Sequence, residues 1–272
     1  MKHLKISFFA FLSIALCAGF TSCNDDDENN PDVTSSHTIG LPRKLLKISE
    51  NNRVKYDKFT YDEQNRITSY YYHNYQMSIA YEGSLIKIWG HFNAQCELSD
   101  NLVSKWIQED GFHSFGYLDN KITTIKGEIY ASMGTDSYDY DYTWDAEGNL
   151  IKMNYKRVMP AASGFGPSTS VRNYSYNGGE NSKINILALL DDFSPLYLET
   201  YDDIELLGLM GYFGDLSTQY PTSCRYIQSG GTTINAEFSY TLDGQGYPTR
   251  IEIATNHENG NEYKDVYQLE WE

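Results

Sequence analysis

The sequence predicts an all-β fold: an antiparallel meander of repeated β-hairpins, curled into a barrel-like or half-barrel sheet. Three observations predict it. The 272-residue chain contains 24 Tyr and only 7 Pro, and aromatic and β-branched residues favour strands. Runs of alternating apolar and polar residues lie between clusters of Gly, Asn and Asp, the residues that form tight turns. A turn motif also recurs along the chain, which is typical of a repeated architecture.

The first residues have the features of an export signal. Lys2 and Lys5 precede an apolar run over residues 6–20, which is shorter than the roughly 20 residues that a membrane-spanning helix needs. The segment 20–23, Phe-Thr-Ser-Cys, resembles the lipobox of bacterial lipoproteins, although the usual lipobox has Leu at its first position.

This resemblance implies that residues 1–22 are removed and that Cys23 carries lipid, which anchors the chain to a membrane. The alternative is ordinary cleavage nearby, with Cys23 left as a free thiol.

Residues 23–40 are expected to form an acidic, flexible tether. The stretch 25–28 is Asp-Asp-Asp-Glu, and Asn, Pro, Ser and Thr follow it, a composition that cannot bury a core. An acidic run directly after the lipidated Cys resembles the surface-export signal of Bacteroides-type lipoproteins. It implies an outer-membrane protein that faces the cell exterior. The alternative is a solvated spacer on a periplasmic lipoprotein.

The charge of the chain argues against one class of partner. Two of the 21 basic residues, Lys2 and Lys5, lie in the leader, so residues 23–272 carry 19 basic and 37 acidic residues, a formal charge of −18. Nucleic acid is a polyanion that binds basic surfaces. We therefore expect no nucleic-acid partner.

The recurring turn motif sets the expected hairpins. It consists of an aromatic or apolar residue, an acidic turn residue, Asn or Gly, and a residue that opens the next strand. Asp and Asn bond to their own backbone and Gly tolerates a positive φ, so each copy has the chemistry of a hairpin turn. The copies are 61–67, 144–150 and 240–247, with shorter versions at 81–85, 98–102 and 117–122 and a looser one at 174–179.

The spacing of the motif predicts the strand lengths. Successive turns at positions 62, 82, 100 and 119 leave room for two strands and one opposite turn between them. The opposite turns are expected near 73–74, 90–91, 110–111 and 134–135. Roughly fifteen strands are expected from the alternating runs, and the twist of so large a sheet must curl it or split it in two.

One segment, 186–214, departs from the β pattern. Its apolar residues at 206, 207, 210 and 213 have helical spacing. The acidic pair 202–203 suits a helix start, and Gly211 or Gly214 suits a helix end. We expect one helix near 202–213 that covers or plugs the sheet, with a partner-binding or membrane-touching helix as the alternative.

Taken with the lipobox and the hairpins, the run 206–214 leading into Tyr-Pro-Thr at 220–222 resembles a Bacteroides lipoprotein family of unknown function with a porin-like β fold. The resemblance covers residues 41–272, which we expect to form a single all-β domain, and it carries no assigned catalytic residues. The term "porin-like" describes only the shape of the fold, because strands such as 122–126 and 138–142 lack the apolar lipid-facing side of a transmembrane barrel.

Few side chains can be singled out as a site. Exposed aromatic rings could stack on sugar rings, although the alternative is that they are cross-strand partners within the sheet. The candidates are Tyr70, Tyr72, Trp89 and Trp106. Cys96 and Cys224 lie beyond the anchor in a compartment that permits a disulfide, and the alternative is two small buried thiols.

The motifs of common catalytic sites do not occur in the sequence. There is no zinc-binding pattern, nucleophile elbow, phosphate loop or dinucleotide fingerprint, so we expect no catalytic residues, metal or cofactor. We expect a non-catalytic binding or structural role in the cell envelope, with a glycan or an envelope protein as partner. The alternative is a carbohydrate-binding or glycan-hydrolysing surface lipoprotein, for which the sequence singles out no pair of carboxylates.

Overall fold

The structure is a computed structural model, in which residues 39–132, 134–196 and 204–272 are described. The predicted leader 1–22, the predicted lipidation site Cys23 and nearly all of the tether 23–40 lie outside these residues. So does the acidic pair 202–203 at the predicted helix start.

The described residues form a closed barrel of 16 antiparallel strands, each paired with its neighbours along the chain. The first and last strands pair with each other and place Ile48 opposite Leu269, which closes the ring. The all-β meander is confirmed, and the half-barrel alternative is wrong because no strand edge is left open. The strands are β1 Leu45–Glu50, β2 Arg53–Tyr61, β3 Ile67–Tyr72, β4 Tyr75–Glu82, β5 Leu85–Trp89, β6 Ala94–Ser99, β7 Leu102–Gln108, β8 Gly111–Leu118, β9 Lys121–Ala131, β10 Gly134–Trp144, β11 Leu150–Val158, β12 Ser168–Ser175, β13 Ser223–Ile227, β14 Thr233–Leu242, β15 Pro248–His257 and β16 Glu262–Trp271.

The barrel has two ends, because successive strands run in opposite directions. We call the end where β1 begins and β16 ends the proximal end, and the opposite end the distal end. The turns of the recurring motif all lie at the proximal end, whereas the turns 73–74, 90–93 and 109–110 lie at the distal end, as do the last residue of β9, Ala131, and the first of β10, Gly134. This alternation is the one that the spacing of the motif predicts.

The three long copies of the motif share one hydrogen-bond pattern. In each, the side-chain Oδ1 of the Asp accepts a hydrogen bond from the backbone N–H four residues later, which holds a five-residue turn closed. The bonds join Asp62 to Arg66 at 3.0 Å, Asp145 to Asn149 at 2.7 Å and Asp243 to Tyr247 at 3.0 Å. The repeat in the sequence is therefore a repeat of turn geometry.

The two faces of the sheet differ in polarity. In β10, Tyr138, Tyr140 and Tyr142 point into the barrel and are buried, whereas Asp141 is exposed on the outer face. Cross-strand pairing continues this outer row through Thr124 and the neighbouring strands. A transmembrane barrel has the opposite arrangement, with an apolar outer band.

The interior is filled by residues 176–196 and 204–222, the described parts of the connection between β12 and β13, which we call the plug. It contains the 3₁₀ turns Ile186–Leu189 and Asp191–Phe193 and one α-helix, α1, Ile204–Leu209. All six residues of α1 are buried, as expected for a helix surrounded by core. Barrels of 16 strands otherwise leave an open channel.

The plug contacts the wall around the ring. The hydroxyls of Tyr142 and Tyr174 donate to the carbonyls of Pro195 and Phe193, at 2.6 and 2.7 Å. Three strands away from β10, on β7, the N–H of Val103 donates to the Tyr212 carbonyl at 2.9 Å.

The helix is shorter than the predicted 202–213. The chain leaves the helix after Leu209, and Gly211 adopts a φ of 86°, the left-handed conformation that ends helices. Its place is inside the barrel, so it plugs the sheet and does not cover it from outside.

Candidate binding site

Most of the exposed hydrophobic surface lies at one end of the barrel. Among the described residues, eight large hydrophobic side chains are exposed. Six of them belong to strand ends or loops at the distal end: Val54, Tyr75, Trp89, Tyr130, Phe165 and Tyr263. They belong to different strands around the ring, so among the described residues the distal end exposes more large hydrophobic side chains than the proximal end.

A groove of about 350 Å³ lies at this end, between β5, β6 and β7. Its outer-face wall is a cross-strand row in which Lys87 is opposite Gln95 and Gln95 is opposite Ile107. Trp89 lies two residues beyond Lys87 on the same face of β5 and is 45% exposed.

The distal edge of the groove adds polar groups. Asn93 and Glu109 are exposed in the turns that follow β5 and β7, and both line the groove. Gln108 also lines it, and its side-chain Oε1 is shut off from water without accepting a hydrogen bond from any described residue. Such an acceptor costs about 1–3 kcal/mol until a donor reaches it.

A stacked pair of rings lies on the hairpin that leads to the groove. Tyr75 and His91 have ring centroids 4.2 Å apart and an interplanar angle of 22°. Both side chains are exposed at the distal end. The β4–β5 hairpin therefore presents two aromatic surfaces to solvent, this pair and Trp89.

The four predicted stacking residues have different positions. Trp89 is exposed in the groove, and Tyr72 is half-buried with its ring 5.2 Å from that of Tyr56. Tyr70 and Trp106 are fully buried in the barrel interior. The predicted ligand stacking is therefore wrong for these two residues, because an enclosed ring has no free face for a ligand. Each ring is instead a cross-strand partner within the sheet.

The candidate disulfide is not formed. Cys96 and Cys224 are both free and buried, on β6 and β13, which are separated by other strands on either path around the barrel. Burial raises the pKa of both thiols well above its ordinary value. The alternative interpretation, two small buried thiols, describes these residues.

Two ion pairs lie within the barrel. Lys55 approaches Glu205 of α1, with Nζ 3.3 Å from Oε1, and the hydroxyl of Tyr56 donates to the other oxygen at 3.0 Å. Arg157 donates to the buried Asp136 carboxylate at 2.6 Å. The first pair joins the plug to the wall, and the second joins two neighbouring strands.

The polar residues of the groove were not predicted from the sequence. Asn93, Gln95, Gln108 and Glu109 belong to no motif, and the pairing register brings them together with Trp89. The one signal in the sequence was an aromatic residue beside a distal turn. Their common surroundings follow from cross-strand pairing, which a local pattern does not specify.

The described residues contain neither a membrane-spanning helix nor a group of metal ligands. No helix in the described parts of the chain is long and apolar enough to cross a membrane. Across the same residues, no three His, Cys, Asp or Glu side chains are grouped as metal ligands would be.

The similarity to known proteins is one of structure. No model of a known protein family matches the chain, and no curated protein matches it. A solved structure of a porin-like protein from Bacteroides vulgatus ATCC 8482 superposes with a TM-score of 0.66 at 17% identity, covering 85% of this chain and 99% of the other. A porin-like protein from Bacteroides uniformis ATCC 8492 superposes with a TM-score of 0.59 at 13% identity, covering 86% and 99%. The chain thus shares its barrel fold with porin-like proteins of Bacteroides, and at these identities the likeness concerns the fold alone.

Proposed function

We propose that this protein is a lipid-anchored protein of the outer membrane, held by Cys23, which binds a ligand at the distal end of its barrel without catalysing a reaction. The observation that carries the proposal is that most of the large hydrophobic side chains exposed among the described residues lie at that end. A groove with a partly exposed Trp and an unsatisfied buried acceptor lies within the same region.

The path of the chain supports this orientation. The segment before β1 is fixed at the proximal end, where the N–H of Gly40 donates to the Met210 carbonyl at 2.9 Å and that of Leu41 donates to the Asn65 carbonyl at 3.2 Å. A tether that leads from Cys23 therefore joins the barrel at the end opposite the groove. An anchored barrel would present its distal end away from the membrane.

The polarity of the barrel supports a lipid anchor in preference to insertion. The outer face carries charged pairs such as Lys47 with Glu270 at 2.9 Å and Lys264 with Glu252 at 2.6 Å. Charged side chains in a lipid-facing band cost about 2–4 kcal/mol each near the bilayer centre. Membrane attachment would therefore come from the acyl chains on Cys23.

The composition of the groove favours binding over hydrolysis. Glycoside hydrolysis generally needs two carboxyl groups on either side of the bond that is cleaved. Among the described residues that line the groove, Glu109 is the one carboxylate. The glycan-hydrolysing alternative therefore has less support here than the carbohydrate-binding one.

Protease shaving of intact cells tests the location. We expect a protease added to intact cells to cut the tether 23–40 and release the barrel into the medium, detected by blotting. The unlipidated variant Cys23→Ala should stay inside and remain protected, as should a periplasmic marker protein.

Two outcomes would contradict parts of the proposal. Protection of the wild type until the outer membrane is broken would rule out surface display and leave a periplasmic protein. Release of Cys23→Ala to the same extent as the wild type would show that Cys23 does not hold the chain.

A further inference from the structure

The groove between β5, β6 and β7 combines groups that few ligand classes satisfy together. The indole ring of Trp89 is flat and 45% exposed, and no described ring or cation stacks on it. Beside it lie the amides of Asn93 and Gln95 and the single charges Lys87 and Glu109. The lining therefore consists of one apolar ring face, that of Trp89, surrounded by hydrogen-bond donors and acceptors.

Sugar rings have the matching chemistry. The C–H groups on one face of a pyranose ring are weakly positive and pack against the negative face of an aromatic ring. Its hydroxyls donate and accept hydrogen bonds around the rim, as side-chain amides and carboxylates require. An apolar peptide or a lipid chain would match Trp89 but would leave the amides of Asn93 and Gln95 without hydrogen-bond partners.

Gln95 places an amide on the same face as Trp89. It lies opposite Lys87 of β5 and Ile107 of β7 in the outer-face row, and it lines the groove. Its amide can both donate a hydrogen bond to a ligand hydroxyl and accept one from it.

The net charge of the protein further restricts the class of ligand that the groove can bind. Residues 23–272 carry a formal charge of −18, and a surface of this sign repels polyanions at ordinary ionic strength. Lys87 could pair with an anionic group, but its Nζ already lies 2.6 Å from Glu82. A neutral ligand therefore suits the groove better than a sulfated or uronic one.

We infer that this groove binds a short neutral oligosaccharide, with one sugar ring stacked on Trp89 and its hydroxyls hydrogen-bonded to Asn93, Gln95 and Glu109. The inference rests on the proposed function in one respect only, that the distal end binds a ligand. It does not depend on the anchor or on the side of the membrane.

The test uses the mature chain purified from membranes in mild detergent, with an array of neutral and anionic oligosaccharides as the probe. We expect binding to neutral members, followed by titration calorimetry with the best of them. Trp89→Ala should weaken binding about tenfold or more, the usual order of effect when a stacking ring is removed. Gln95→Met, which keeps the volume but removes the amide, should weaken it about threefold to tenfold.

Tyr130→Ala is the matched control, because Tyr130 is an exposed aromatic residue at the same end of the barrel but outside the groove. It should bind like the wild type. Thermal unfolding of each variant shows whether the barrel is intact. Trp89 and Tyr130 are both exposed, so the fold should survive truncation to Ala at either position.

The outcomes separate the two proposals. No binding to any neutral oligosaccharide, binding to anionic members alone, or full affinity in Trp89→Ala would each overturn the saccharide site. None of these results changes the shaving experiment, which tests the anchored location by itself. Conversely, the chain could be protected from protease in intact cells and still bind neutral sugars through Trp89. That result would support the saccharide site and contradict the surface location.

Discussion

At the scale of single residues, His113 shows how the barrel sets the charge state of a side chain. It lies on the inner face of β8, opposite Trp106 and Gly127, and is 1% exposed. Gly127 leaves the space that the imidazole occupies, because a Cβ there would collide with the ring. Burial lowers the pKa of His113 to about 4, although Asp110 opposes the shift.

This pKa predicts a pH dependence of stability. The pKa of His113 is lower in the folded chain than the value of about 6.5 for an unfolded chain, so the unfolded state binds more protons between these values. The free energy of unfolding should therefore fall as the pH decreases from about 6.5 to about 4, by up to about 3 kcal/mol from this residue. Chemical denaturation at pH 7 and pH 4.5 measures the difference.

His113→Phe keeps a ring over Gly127 and should remove most of this dependence. The exposed His73 provides the control, and His73→Gln should leave it unchanged. An unaltered pH dependence in His113→Phe would show that His113 is not the responsible group.

The sequence predicts some residue roles and not others. Asp62, Asp145 and Asp243 could be assigned to turns because their function is local, within four residues of each carboxylate. The difference between the buried Tyr70 and the exposed Trp89 could not be predicted. Both follow the strand pattern, and only the closed ring decides which face of each strand is covered.

At the scale of elements, the plug is held by both apolar burial and an ion pair. The side chains of Lys55 and Glu205 are 7% and 10% exposed. Lys55 also lies 3.5 Å from Glu50 and 5.6 Å from the ring centroid of Tyr267. Lys55 of β2 thus lies between the carboxylate of Glu205 on α1 and that of Glu50 on β1.

A double-mutant cycle should reveal the coupling. Glu205→Leu leaves the buried ammonium of Lys55 with Glu50, at 3.5 Å, as a neighbouring carboxylate. The free energy of unfolding should therefore fall by less than the roughly 3–5 kcal/mol expected for a buried charge that loses every partner. Adding Lys55→Met removes the buried ammonium, so the double variant should lose less stability than the sum of the two single variants. Glu270→Ala, which breaks an exposed pair on the outer face, should cost less than about 1 kcal/mol. Additive effects of the two interior substitutions would contradict the coupling.

The plug was only partly predictable. Helical spacing at positions 206, 207, 210 and 213 indicated the helix, and Gly211 indicated its end. Its length was overestimated because the spacing continues through Phe213, which packs on Phe115 outside the helix. Because the helix is surrounded by apolar side chains, its sequence does not indicate which strands it packs against.

At the scale of the whole molecule, the polar outer face predicts how the barrel partitions. In phase separation with a mild detergent, we expect the lipidated wild type in the detergent phase. After a Glu-specific protease cuts the tether at Glu28, the released barrel should move to the aqueous phase, because its apolar surface is turned inward.

The undigested sample is the control for this separation. A cleaved barrel that stays in the detergent phase would mean that the outer surface is more apolar than the described residues indicate. Recovery of the wild type in the aqueous phase would instead argue against lipid on Cys23.

The meander was predictable as a whole, because strands and turns repeat at a regular interval and neighbours in sequence pair. Its closure was not. Whether the sheet remains half-open depends on a single non-local pairing, Leu45 with Trp271 and the residues beside them. No motif in either strand specifies the other as its partner.

That pairing has a consequence for the order of folding. The Nε of Arg43 donates to the Glu272 carbonyl at 2.6 Å, across 229 residues of sequence. Hairpins can form as the chain is made, but one edge of β1 stays unpaired until β16 emerges. Contacts so distant in sequence form slowly, and an open edge can pair with other chains in the meantime. The interval between the synthesis of the first strand and that of the last is therefore when the protein is most prone to aggregate.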